Sequence, residues 1–173
     1  MPKVIKDLTN TLYREAKKLL LEQGFKDMSI RDLAKNCNIA VGTVYNYYES
    51  KEDLVADVML TDWSAGIDDA KKAIIAAESA VDGMEAIYRS VQEFFLGYTK
   101  VFRNCSKKTV YIPSVYHEKI MEQITALEEL LFERFPCSLQ PIPYRFFAEN
   151  ILHAVTKGKM DFQDLRPILM RLL

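Results

Sequence analysis

Three cysteines in 173 residues, Cys37, Cys105 and Cys137, are odd in number and widely spaced, so neither a disulfide framework nor a zinc ribbon is expected. They read as ordinary small side chains. Glycine and proline are scarce, six of each, and β-branched residues rarely alternate. With Leu, Ala, Glu, Lys and Met prominent, this composition points to an all-α protein. The two histidines, His117 and His153, belong to no HExxH, and the chain has no G-x-S-x-G elbow or Gly-rich phosphate loop. Cys105 with His117, or His117-Glu118 as half a metal site, lacks the spacing an enzyme would need. Neither an enzyme nor a resident metal or cofactor is therefore expected. No apolar run approaches the roughly 18 residues of a membrane span, and the start Met-Pro-Lys-Val-Ile-Lys-Asp lacks the apolar core of a signal peptide. A cytoplasmic location is the expectation.

Strong net charge is missing too. The total is −1, which argues against a polycation that coats nucleic acid. Its distribution is uneven, however: up to Tyr48 eight Lys or Arg stand against five acids, a net +3, which leaves −4 for the remainder. A mildly basic head on an acidic body suits a chain that touches phosphate at one end.

What is present is concentrated between Ser29 and Leu54, SIRDLAKNCNIAVGTVYNYYESKEDL. Ser29 is a candidate N-cap with Asp32 at the capping-box distance, and Ile30, Leu33 and Ala34 then share one helical face. Asn36, Cys37 and Asn38 form a polar turn. A second helical pattern runs from about Ala40 to Tyr48, with Val44 and Tyr48 placed to point inward. That leaves Val41, Gly42, Thr43, Tyr45, Asn46 and Tyr47 outward, a face without Lys, Arg, Asp or Glu. Aromatic rings held out on an uncharged face usually have something to touch. The pattern is a helix-turn-helix.

These residues resemble the DNA-binding domain of the tetracycline-repressor (TetR) family. The resemblance rests on Gly42-Thr43-Val44-Tyr45, Tyr47-Tyr48 and Ser50-Lys51-Glu52-Asp53-Leu54, preceded by Gly24-Phe25 and Ser29 to Ala34. Asn38 stands where the family often has Gly, and Ala40 where a small hydroxyl residue often caps the recognition helix. The resemblance covers about the first third of the chain. It implies an N-terminal three-helix DNA-binding domain, placed at residues 1–50, and a helical-bundle ligand-binding and dimerisation domain at 51–173.

Apolar residues recur at helical spacing from Val4 to Gly24, from Leu54 to Ala77, from Met84 to Cys105, and from about Tyr116 to Phe135. Two terminal helices follow, about 144–156 and 161–172. Met59, Trp63, Phe94, Phe95, Tyr98, Phe102, Tyr111, Tyr116, His117, Phe147 and Asn150 combine apolar walls with polar handles, the make-up of a ligand pocket between bundle helices. The terminal stripes of Phe147, Ile151, Leu165, Leu169 and Leu172 are expected to meet a second copy. The resemblance likewise implies a four-helix dimer interface from the last two helices of each subunit.

The recognition helix carries no cation for a guanine contact, so base readout falls to Thr43 and Val41 against thymine methyls, with Gly42 allowing close approach. Tyr45, Asn46 and Tyr47 complete the face. Phosphate contacts fall to Lys51 and Lys35, and to Lys3 or Lys6, since a cation in the first turn of a helix, as Lys51 is, makes sense where a phosphate lies across it; Ser29 is placed in the same DNA-binding set. The partners expected are a palindromic double-stranded DNA operator, a hydrophobic or amphipathic small-molecule effector of unknown identity, and a second copy of the chain. Release of a repressor by ligand is the principal expectation. Ligand-promoted binding, or a head that contacts protein instead of DNA, is the alternative.

Overall fold

A computed structural model describes residues 7–101, 114–137, 143–158 and 160–173, with the side chains of all but 114–116. Eight α-helices and no strand occur among the described residues. By packing they form two units. Residues 7–62 and 97–101 make the first, and the remaining described residues make the second.

In the first unit α1 (Leu8–Asp27) buries Leu12, Ala16, Leu19 and Leu20, the stripe its periodicity foretells. The helix breaks at Gly24, whose φ of 82° favours glycine, and a Cβ there would lie 3.2 Å from the Val101 carbonyl oxygen. The next N–H, that of Phe25, donates to the same carbonyl at 2.9 Å. Glycine at 24 thus lets the turn that carries the Val101 carbonyl close against this corner.

Helix α2 (Ile30–Asn36) starts at Ser29, whose hydroxyl oxygen accepts from the Asp32 N–H at 3.1 Å. Its buried residues are Ile30, Leu33 and Ala34. Asn38, in the position often held by Gly, has a φ of 55°, a left-handed conformation that Asn tolerates better than most residues. Helix α3 (Val41–Tyr45) is shorter than the expected 40–48. The Asn46 N–H donates to the Gly42 and Thr43 carbonyls and that of Tyr47 to Val44, so the last turn tightens and the helix stops. Ala40 makes no side-chain cap, as its lack of a hydroxyl requires.

Helix α4 (Lys51–Ala76) continues as α-helix through Gly66. Leu54, Val55 and Val58 are buried in the first unit, and Trp63, Ile67, Ala70 and Ile74 in the second. Helices α5 (Ala80–Thr99), α6 (Ser114–Arg134), α7 (Tyr144–Lys157) and α8 (Phe162–Leu172) complete the chain. At Gly83 of α5 an added Cβ would fall 2.1 Å from Leu131 Cδ1 of α6, so absence of a side chain sets how closely these helices approach. Helix α8 opens with a reciprocal capping box between Asp161 and Asp164. Its Arg166 donates to Glu85 at 2.8 Å and Asp82 at 3.3 Å, and Tyr88 donates to the Met160 carbonyl at 2.9 Å.

The expected dimer stripe needs correction. Phe147, Ile151 and Leu169 are buried in the core of their own second unit, and Leu165 packs against it. Only Leu172 of that set is exposed. The apolar side chains that α7 and α8 leave in water are instead Phe146, Ile168, Met170 and Leu172. The stripe covers the chain's own core.

Candidate nucleic-acid interface

The outward face of α3 is the one the spacing foretold. Val44 is wholly buried and anchors the helix, while Val41, Tyr45 and Tyr47 are 37%, 51% and 49% exposed. Gly42 and Asn46 are exposed and Thr43 half-buried. Nothing lies within 4 Å of a Cβ added at Gly42. The fold itself therefore makes no demand for glycine at that position. Tyr48 turns inward and donates to Asp57 Oδ2 at 2.9 Å. Burial, then the Asp57 carboxylate, push its phenol well above the ordinary range.

Two residues of the expected DNA-binding set are already engaged within the fold, and Lys3 and Lys6 lie outside the described residues. Ser29 caps α2 and also donates to Asp32 Oδ2 at 2.6 Å. The Lys51 ammonium donates to the carbonyls of Phe25 at 2.7 Å and Met28 at 3.1 Å, and it stands 4.5 Å from the centroid of the Phe25 ring. A cation at the start of α4 thus finds its hydrogen-bond acceptors in the carbonyl oxygens at the end of α1, so no phosphate is needed to explain it. Lys35 is exposed, as is Arg31, which the sequence reading did not include among the contacts.

The head is held by a carboxylate the sequence did not single out. Asp62 accepts from Lys17 Nζ at 2.7 Å and from the Tyr13 hydroxyl at Oδ1, and from the Tyr98 hydroxyl at Oδ2, 2.7 Å away. Burial and then Asp62 raise both phenols above their usual value. Burial pulls the Lys17 ammonium down, but the hydrogen bond and charge of Asp62 outweigh it and leave it raised. One carboxylate so ties α1, α4 and the end of α5. Its three donors come from distant sequence positions, which is why periodicity alone gave no sign of it.

The residues assigned to a ligand pocket divide. Met59 and Tyr98 belong to the first unit, and Trp63, Phe94, Phe95, His117, Phe147 and Asn150 to the second. Phe102, Tyr111 and the side chain of Tyr116 lie outside the described residues. Within the second unit Trp63 and Phe94 meet edge to face at 5.0 Å, Phe95 meets Phe94 at 5.4 Å, and the Trp63 indole N–H donates to Gln123 Oε1 at 2.6 Å. Phe147 is buried in the same core. His117 and Asn150 are not there. His117 is partly exposed, 3.8 Å from the Glu118 and Glu149 carboxylates, and the exposed Asn150 donates to the Phe146 carbonyl. Both are corrected to surface positions: their helical phase fits either edge, and polar neighbours settle it. Gln123 and Glu128 are the polar side chains the reading missed. Glu128 was legible, because it stands one turn after Ile124 and three residues before Leu131 on a wholly buried stripe.

No helix among the described residues is long and apolar enough to cross a membrane, and no cluster of His, Cys, Asp or Glu there could hold a metal ion. A three-helix head with an exposed, uncharged, tyrosine-bearing third helix, followed by a helical body, defines the class of helix-turn-helix regulators. Residues 12–58 match the sequence model for bacterial regulatory proteins of the tetR family. The head is therefore similar to the DNA-binding domain of the tetR family. An uncharacterized HTH-type transcriptional regulator of Haemophilus influenzae is 33% identical over 49 residues, which are 28% of this chain and 26% of that protein. The chain thus aligns with about a quarter of the length of this curated relative. In fold, the chain is similar over its length to the transcriptional regulator FadR of Bacillus subtilis, solved in complex with stearoyl-CoA. That match has a TM-score of 0.58 and 14% identity, covering 95% of this chain and 96% of that one. It is also similar to a cysteine mutant of the TetR family regulator CifR solved with 26-base-pair operator DNA, with a TM-score of 0.59, 12% identity, and 99% and 97% covered.

Proposed function

We propose that this chain is a ligand-responsive, DNA-binding transcriptional regulator that acts as a homodimeric repressor. A small hydrophobic or amphipathic effector releases it from a palindromic operator. The observation that carries the reading is the α3 face. Val41 and Tyr45 of α3, and Tyr47 just beyond it, stand in water without a charge among them, and Val44 secures the helix from behind. Such a face suits a major groove, where thymine methyls offer apolar contact and tyrosine hydroxyls meet phosphates. A fold relative solved with operator DNA and another solved with stearoyl-CoA support the two halves of the proposal.

A second copy would cover Phe146, Ile168, Met170 and Leu172, and two heads about one DNA turn apart would read the two halves of a palindrome. Helix α4 has residues in both units, so an effector in the body has a direct covalent route to the head. The test is fluorescence anisotropy with duplexes from upstream of the chain's own coding region, against random duplex, at two salt concentrations. Tight, salt-dependent binding to one duplex is expected, and Thr43→Ala is expected to narrow the gap between it and random DNA. Equal affinity for every duplex at low salt would refute the reading. Light scattering checks the dimer, which Ile168→Glu is expected to dissociate.

A further inference from the structure

Glu128 of α6 is wholly buried, and among the described residues neither of its carboxyl oxygens has a hydrogen-bond partner. It is not at a rim. Ile124 and Leu131, four residues before it and three after, are likewise fully buried, so the carboxyl rises from the middle of the core stripe of α6. Among the described residues it is the one buried acidic, basic or amide side chain, and no Lys, Arg or His of α4, α5, α7 or α8 is buried to meet it. The core of this unit is otherwise aliphatic and aromatic, including Trp63, Ala70, Ile87 and Ala148. Burial, followed by the charge of neighbouring Glu129, pushes the Glu128 carboxyl up to about 9. At neutral pH it is therefore an uncharged acid whose donor and acceptors are all unused, a standing cost in a dry interior.

We propose that Glu128 anchors the cationic head of an amphipathic effector, whose tail lies among the apolar side chains of the same core. This rests on the effector-responsive reading above and narrows it to one ligand chemistry. A permanent cation such as a quaternary ammonium takes the ionised carboxylate as its partner. The Glu128 O–H bond breaks, its proton passes to buffer, and the positive charge of the ligand replaces it. The charge inside the unit is then the same before and after binding. An anionic head would meet either a carboxylate or an acid and gains no such exchange.

Isothermal titration calorimetry with decyltrimethylammonium, decanol and decanoate, at pH 7 in two buffers of different ionisation enthalpy, tests this directly. The cation is expected to bind most tightly and to release about one proton per molecule bound. Glu128→Gln, close in shape to the protonated acid, is expected to lose roughly tenfold or more in affinity for the cation, release no proton, and keep its affinity for decanol. A circular dichroism melt confirms that the variant is folded. If it is not, the proton count on the unaltered chain decides alone. Cation binding without proton release, equal cation affinity in Glu128→Gln, or preference for decanoate would each overturn the inference. Decanol or decanoate that binds and loosens the DNA complex, while the cation does neither, would overturn it and leave the effector reading standing. Failure of all three probes to bind would overturn this assignment, whereas a chain that ignores every duplex would sink the regulator reading instead.

Discussion

Replacing Lys51 by methionine separates two accounts of the start of α4. Methionine keeps an unbranched apolar stem over the Phe25 ring but removes the ammonium, which donates to the Phe25 and Met28 carbonyls at 2.7 and 3.1 Å. Both residues are buried, so their carbonyls lose a charged donor in a place water reaches poorly. Hydrogen bonds to charged groups contribute about 1.5–3 kcal/mol each and are not additive, and the ring contact adds about 0.5–1 kcal/mol. A loss of about 3 kcal/mol of stability is expected for Lys51→Met. For a chain of this length that lowers Tm by roughly 6–12 °C, read by circular dichroism. The salt dependence of DNA binding is the second readout. A phosphate ligand would take about 0.9 from the slope of log affinity against log salt when removed, whereas a clamp on the end of α1 leaves that slope nearly unchanged among molecules still folded. An unaltered Tm with a flattened salt dependence would refute the clamp and return Lys51 to the phosphate.

Three further outcomes follow from the same geometry. Gly42→Ala meets no atom in the free chain; it is expected to raise stability by up to about 1 kcal/mol through helix propensity while weakening operator binding, and a variant that binds DNA as tightly as the parent would contradict close approach at this point. The raised Glu128 carboxyl means that the folded chain keeps a proton the unfolded chain gives up. Its stability is therefore fully present below the ordinary carboxylate range and falls as pH rises toward about 9, at up to about 1.4 kcal/mol per pH unit. Urea melts at pH 5 and pH 8 should show this loss, and Glu128→Gln should abolish it. Asp62→Asn strips the charged acceptor from Lys17, Tyr13 and Tyr98 together; a loss of about 2–3 kcal/mol in urea unfolding is expected, and a change under 0.5 kcal/mol would show the cluster to be incidental.

The helix-turn-helix was legible because its signals are local. Ser29 caps three residues before Asp32, Asn38 substitutes for Gly in a left-handed turn, and Val44 and Tyr48 recur four apart, all within reach of neighbours along the chain. The body was legible only as helices. Stripe residues such as Phe147 and Ile151 state that a face is apolar, not whether it meets the same chain or another one. Helical phase likewise left His117 and Asn150 ambiguous between cavity and surface. The Asp62 cluster lay beyond reach for a different reason: Tyr13, Lys17 and Tyr98 converge on it across 36 to 49 residues, a separation over which a single sequence carries no pairing information.

The Asp62 carboxylate finds a partner in Tyr98 of the last turn of α5, and the Phe25 N–H finds one in Val101 just beyond that helix. The DNA-reading portion is therefore discontinuous along the polypeptide. An excised fragment ending at Asp62 would forfeit two of its staples, and grafting that fragment onto a foreign body would leave a loosened reader. Any functional chimera has to carry the second crossing of the chain along with the first.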